Sequence, residues 1–199
     1  QQRKIETPDG RSYTANMSFI YDYWGRIARM TYPDDEEVRY QYDKGGMLKS
    51  ISNIRGFDYV KSITYDHYGN RKKVKYGNNV ETEYFYSHQQ RLRGLTLRRP
   101  NNELFTNLLI SYDRNSNITG IENSSSLHDS YDVGGISKQY YKYDGFNRLS
   151  YAGIKWEGKR ESHNAEVGME YNNTHGITLK NQHHQVYNVY THVSESTAN

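Results

Sequence analysis

One short unit recurs seven times along the chain, and it limits the possible folds more than any other feature. Each copy opens with a tyrosine, followed by an aspartate or small polar residue, a polar turn and, in all but one copy, an aliphatic residue six places on. The copies are "YDYWGRIARM", "YDKGGMLKSI", "YDHYGNRKKV", "YSHQQRLRGL", "YDRNSNITGI", "YDGFNRLSYA" and "YNNTHGITLK". Their anchors are Tyr21, Tyr42, Tyr65, Tyr86, Tyr112, Tyr143 and Tyr171, spaced 21, 23, 21, 26, 31 and 28 residues apart. Because the spacing drifts while the unit persists, insertions fall between copies rather than within them.

The pattern inside each copy has the period of a strand. Two residues before the anchors stand Phe19, Tyr40, Ile63, Tyr84, Ile110, Tyr141 and Met169, which share a face with the anchors if the segment is extended. Six residues after them stand Ile27, Leu48, Arg71, Leu92, Ile118, Leu149 and Ile177, six of the seven aliphatic, marking the return strand of a hairpin. Between the two lies turn chemistry. Asp22, Asp43, Asp66, Asp113 and Asp144 can accept from the backbone two residues on, and Gly25, Gly46 and Gly69 accept positive φ. Arg26 and Arg148 follow the turn in two copies. A second turn class alternates with this one, in "TPDGR", "YPDDE", "YGNNV", "RPNNE" and "WEGKR". The sequence therefore predicts a continuous run of antiparallel hairpins without a helix.

Composition fits a thin β protein. Only 34% of residues are hydrophobic and mean hydropathy is −1.05, too polar for a thick core. Disorder would pair such polarity with few aromatics and high net charge. Here 14% are aromatic, with 21 Tyr, and the net charge is +3. Tyrosine suits half-buried strands, having an apolar ring and a polar tip. With no cysteine, there is neither a disulfide framework nor a thiolate metal site. No stretch reaches the ~18 apolar residues of a membrane helix, and "QQRKIETPDG" is not a signal peptide, so the chain reads as a fragment that starts inside a strand and stops mid-array. Longer loops are expected near residues 120–140, where "SYDVGG" is a candidate degenerate copy, and near 155–168. The tail "SESTAN" reads as weakly ordered.

The Tyr-Asp-x-x-Gly-Arg-Ile/Leu unit, with its alternating Pro-Asp-Gly turn, resembles the YD repeats of the Rhs family. "FIYDYWGRIARMTYPDDEEVRYQYDKGGML" and "SITYDHYGNRKKVKYGNNVETEYFY" carry the resemblance most closely, and "GMEYNNTHGITLKNQ" is similar to late repeats of Bacteroidetes-like members. The resemblance covers nearly the whole chain, residues 1–199, as about seven copies. It implies an all-β fold of tandem antiparallel hairpins forming a spiralling sheet, part of a hollow shell. It further implies a role, since bacterial Rhs polymorphic toxins and ABC toxin components enclose a C-terminal toxin in such a shell and teneurins use a related one in adhesion. The family's terminal core, with its Asp-Pro-x-Gly element, has no counterpart among these residues, so self-cleavage and toxin activity do not carry over.

Rows of tyrosines invite two readings: a ring-on-ring ladder that stiffens the sheet, or a stacking surface for sugars. Register at every copy favours the ladder. The aspartates read as turn formers. His163, His175, His183, His184 and His192 gather near the C-terminus, but His183 and His184 fall on opposite faces of a strand, so at most one could join a metal site. "DDEE" around Asp34 and Glu36 reads as a solvated turn. The balance of 26 basic and 23 acidic residues disfavours nucleic acid. Neither a phosphate loop nor a nucleophile triad stands out. The expectation is a non-enzymatic scaffold without cofactor or metal, secreted or at a bacterial cell surface. Its expected partners are the rest of its shell and an enclosed toxin, with a secretion spike or target-cell glycans as further ones. A surface adhesin or carbohydrate-binding module is the alternative.

Overall fold

The computed structural model describes residues 2–6, 8–125, 135–158, 161–188 and 193–198, and every regular element among them is a β-strand. The chain divides into two compact units, residues 1–83 and 84–199. In the first, β1 (Gln2–Glu6) and β2 (Ser12–Asn16) pair as a separate hairpin. They are followed by β3 (Ser18–Tyr21), β4 (Ile27–Thr31), β5 (Glu37–Tyr42), β6 (Leu48–Asn53), β7 (Asp58–Tyr65), β8 (Arg71–Tyr76) and β9 (Glu81–Tyr86), the last of which ends in the second unit. The second unit continues with β10 (Leu92–Arg98), β11 (Leu104–Tyr112), β12 (Ile118–Asn123), β13 (Ile136–Tyr143), β14 (Leu149–Glu157), β15 (Glu161–Tyr171), β16 (Ile177–Asn188) and β17 (Val193–Ala198). From β3 to β17 each strand is hydrogen-bonded to its neighbour in chain order, with β3 and β17 at the two ends of the sheet.

Alternation sets the two faces of each strand. In β5, Val38 is buried and Tyr40 and Tyr42 are half-buried, while Arg39 and Gln41 point to solvent. The equivalent residues Ile63 and Tyr65 in β7, and Tyr141 and Tyr143 in β13, are half-buried as well. Val38 and Val74 are the hydrophobic residues that reach full burial among the described residues. Such a sheet gains its stability from half-covered rings and from the ladder itself, which is why so polar a composition is compatible with it.

The seven turns that follow the anchors close identically. In the first, the Asp22 N–H donates to the Arg26 carbonyl and the Gly25 N–H to the Asp22 carbonyl. This is a three-residue hairpin loop, a type I turn followed by one left-handed residue, with the bulge at the anchor. The register accordingly shifts beside Tyr21, Tyr42, Tyr65, Tyr112, Tyr143 and Tyr171. The left-handed place is held by Gly25, Gly46 and Gly69 in three copies, and by Gln90, Ser116, Asn147 and His175, at φ between 61° and 71°, in the others.

The second turn class proves to share this backbone. Tyr32–Glu36, Tyr76–Val80 and Arg99–Glu103 close with the same two bonds. What differs is the cap: Asp34, Asn78 and Asn101 accept the N–H of Glu36, Val80 and Glu103 from the third place of the loop, not the first. A further turn, Asn53–Phe57, escapes the sequence reading. Its Asn53 Oδ1 accepts from both Arg55 and Phe57, the same cap that the YD aspartates use, and Asn-x-x-Gly is the signal that marks it.

Two expectations need correction. The stretch 155–168 is strand on both sides of residues 158–160, since β14 runs to Glu157 and pairs residue by residue with β15 from Ser162 onward. Its polar side chains sit on a two-sided, solvent-facing sheet, where polarity does not signal a loop. The tail, likewise, is strand β17, paired with β16 from Val193 to Ala198. In the 120–140 stretch, residues 120–123 and 136–140 are strand, and "SYDVGG" lies outside the described residues except for Gly135.

Candidate functional site: the ties between successive copies

Anchor tyrosines stand on alternate strands, about 9.6 Å apart at the usual strand spacing, because each copy contributes two strands. That separation is too wide for the ring-on-ring ladder the sequence suggests. The strand between two anchors fills the gap with its own residues. The Tyr42 hydroxyl donates to the Ile27 carbonyl at 2.9 Å, Tyr65 to Leu48 at 2.8 Å, Tyr112 to Leu92 at 2.7 Å, Tyr143 to Ile118 at 2.9 Å and Tyr171 to Leu149 at 2.7 Å. In every case the acceptor lies six residues after the preceding anchor. Each of these hydroxyls thus caps the bulge carbonyl where the previous copy turns back.

Where the copy carries an arginine, a second tie forms. The Arg26 guanidinium sits 4.1 Å from the centre of the Tyr42 ring, Arg91 4.6 Å from that of Tyr112, and Arg148 4.6 Å from that of Tyr171. A cation over a ring face is worth about 0.5–2 kcal/mol, depending on how dry the pair is. The turn aspartate holds the arginine in place. Asp22 Oδ2 accepts from Arg26 Nε at 2.7 Å, while its Oδ1 accepts the N–H groups of Trp24 and Arg26. Asp144 does the same for Arg148, with Nε at 2.6 Å. Asn70 and Asn117 replace the arginine in two copies, each donating its amide to Asp66 or Asp113. Asp43 caps Gly45 and Met47 through Oδ1, without an arginine. Tyr21, on the first strand of the sheet with no earlier copy paired to it, is 57% exposed.

The fourth copy breaks this pattern at one atom. Ser87 stands where the others have Asp or Asn, and it caps the turn weakly, at 3.3 Å to both Gln89 and Arg91. Arg91 Nε is buried there without an acceptor. Ser87→Asp should supply one and stabilise the second unit by about 1 kcal/mol, read as a higher midpoint in urea unfolding. An unchanged or lower midpoint would contradict the role given to the aspartates.

These carboxylates titrate low. Burial would raise Asp22, but the hydrogen bonds from the Arg26 side chain and from the N–H groups of Arg26 and Trp24 outweigh it and hold the carboxyl below its ordinary 3.8. Asp144 behaves alike through Arg148 and Phe146, and Asp66 through Asn70 and Tyr68. For Asp113 the Asn117 amide is the leading cause. A carboxyl depressed by folding contributes stability above its unfolded value and loses it as pH falls through the folded value. Thermal stability should therefore hold from neutral pH to about 4 and drop below it. Changing Asp22, Asp66, Asp113 and Asp144 together to Asn should flatten that drop, since an amide keeps the Oδ1 cap, as Asn172 does for Thr174 and Gly176. An identical acid profile in the fourfold variant would refute the assignment.

Asp34 caps its turn and Glu36 accepts from the Tyr59 hydroxyl, so the acidic turn is tied into the sheet. The Tyr151 hydroxyl donates to Glu166 at 2.5 Å, and that bond, with burial second, pushes the phenol up to about 12. A shallow concavity of about 480 Å³ lies over β13–β17, lined on one face by Gln139, Tyr141, Ala152, Ile154, Ala165 and His184. His183 and His184 do face opposite sides, their partners across the sheet being Glu166 and Ala165. His163 meets His184, a pairing that register alone reveals, and His192 lies outside the described residues. No group of three or more potential metal ligands occurs among the described residues, and no helix is long and apolar enough to cross a membrane.

A sheet of hairpins whose motif residues tie each copy to the next is a repeat-built β protein. Residues 21–57, which carry the anchors Tyr21 and Tyr42, match the family model described as RHS Repeat. Among solved structures, the chain is similar to the crystal structure of TcdB2-TccC3-Cdc42, with a TM-score of 0.72 and 22% identity over 93% of this chain and 10% of that one. It is similar, too, to the Photorhabdus luminescens Tc holotoxin pore, with a TM-score of 0.71 and 22% identity over 94% of this chain and 9% of that one. At that identity the likeness speaks for the fold. The chain spans about a tenth of the length of these relatives. No curated protein matches it in sequence.

Proposed function

We propose that this chain is a stretch of wall: a non-catalytic part of an RHS-repeat shell that encloses a toxin or effector domain until it is delivered. The observation that carries the reading is the use to which the motif residues are put. Five anchor hydroxyls are each spent on a carbonyl of the preceding copy, and the aspartates on their own turns, which leaves the recurring groups committed to construction. The fold shared with TccC3-containing complexes supports it. The seven copies form one array in this reading, the inner surface of the wall screens its cargo sterically, and the product acts outside the cell that makes it.

Limited proteolysis of the full-length protein tests this. A domain enclosed by the wall should survive protease that digests the same domain expressed alone, and it should become sensitive once the wall is unfolded. Equal digestion of the free and the attached domain would overturn enclosure. Adhesion to glycans is the second reading, favoured by aromatic rings at the tips of the YD turns: Tyr23 and Trp24, Tyr68 and Phe146 are all strongly exposed. Saturable binding of a defined glycan, lost in Trp24→Ala with the fold intact, would establish it.

A further inference from the structure

We infer that His163 and His184 form a binding site for a divalent transition-metal ion of the kind that imidazole nitrogen prefers, on the long terminal hairpin β15–β16. The hairpin register pairs Ala165 with His184 and His163 with Val186, so the two histidines are diagonal neighbours on one face. Their rings lie 5.6 Å apart at 11°, and His163 Nδ1 is 3.3 Å from His184 Nε2. Two nitrogens bound to one ion at 2.0–2.1 Å in tetrahedral geometry stand about 3.3 Å apart. The hairpin thus already holds the donor pair at chelating distance.

The other nitrogen of His163 settles its tautomer. Nε2 is 3.2 Å from Glu161 Oε2, so Nε2 keeps its proton and donates it to the carboxylate, which leaves the Nδ1 lone pair facing His184. A carboxylate behind a ligating histidine raises its basicity and fixes its orientation, and is the usual companion of metal-bound imidazole. In the metal-free protein, His184 Nε2–H donates to that lone pair. Metal takes the place of this proton as His184 shifts to its Nδ1–H tautomer, and the exposed His184 ring turns Nε2 towards the ion. Water fills further positions. Glu195 of β17, paired with Val186, shares the face. His183 is turned to the other side and takes no part.

Trp156 gives the site a built-in reporter, its ring centre 5.2 Å from that of His163. In a Trp24→Phe background Trp156 is the single tryptophan of the sequence, and copper(II) titration reads its fluorescence alone. Quenching should saturate at one equivalent. His163→Gln and His184→Gln should each weaken it at least tenfold, Glu161→Gln about tenfold to a hundredfold, and His183→Ala not at all, with far-UV circular dichroism unchanged throughout. The inference fails if quenching rises linearly without saturation, or if the His163 and His184 variants titrate like the parent.

Discussion

Replacing Tyr42 by alanine should lower the unfolding free energy of the first unit by about 2–4 kcal/mol, among the larger effects available to one side chain in this protein. Three losses add up. The half-buried ring leaves the face it shares with Val38 and Tyr40, a burial term of about 1.5–2 kcal/mol for a partly covered aromatic. Its hydroxyl no longer satisfies the Ile27 carbonyl, about 0.5–1.5 kcal/mol. Arg26 then keeps only the Trp24 ring, 4.8 Å from its guanidinium, and loses the closer Tyr42 ring. Tyr21→Ala is the matched control: the same motif position, but at the end of the sheet and more than half exposed, with an expected change within about 0.5 kcal/mol. Urea unfolding of both variants decides the matter, and equal effects at the two positions would contradict the ties.

Gly77→Ala should be comparably damaging, about 3 kcal/mol or more, for a reason unrelated to the motif. A Cβ at Gly77 would land on the backbone carbonyl oxygen of Asp58, and backbone cannot move aside as a side-chain tip can. The Gly77 N–H also donates to the Tyr59 carbonyl at 3.0 Å, so retreat of the chain would break a ladder bond between the ends of β7 and β8. Thermal unfolding should show the loss in the first unit. A melting profile like the parent's would mean that the strands part there without strain.

Gly77 also shows where sequence reading stops. In "YGNNV" it looks like the residue that gives a tight turn its positive φ, yet that place belongs to Asn79, at 64°. Gly77 is needed for close approach of two backbones, which depends on a neighbouring strand and leaves no local trace. The fold itself was legible because its signals are local: the two-residue period, the turn at each copy and the aliphatic return. The cap by Asp22 was legible too, being contained within five residues. What the anchor hydroxyl does was not, because its acceptor lies 15 to 25 residues back and its register depends on how many strands intervene. The ring ladder failed for the same reason: counting copies as adjacent strands halves the true distance. Polar strands near 155–168 look like a loop in the sequence because a sheet open to water on both sides has no apolar face to announce it.

The most direct test of a structural role for the repeated tyrosine removes the hydroxyl and nothing else. Phenylalanine at Tyr42, Tyr65, Tyr112, Tyr143 and Tyr171, one at a time, should lower stability by about 0.5–1.5 kcal/mol each in urea unfolding, while Tyr21→Phe should leave it unchanged. Five variants indistinguishable from the parent, or a loss at Tyr21 as large as at the others, would contradict the claim that these tyrosines tie one copy to the next.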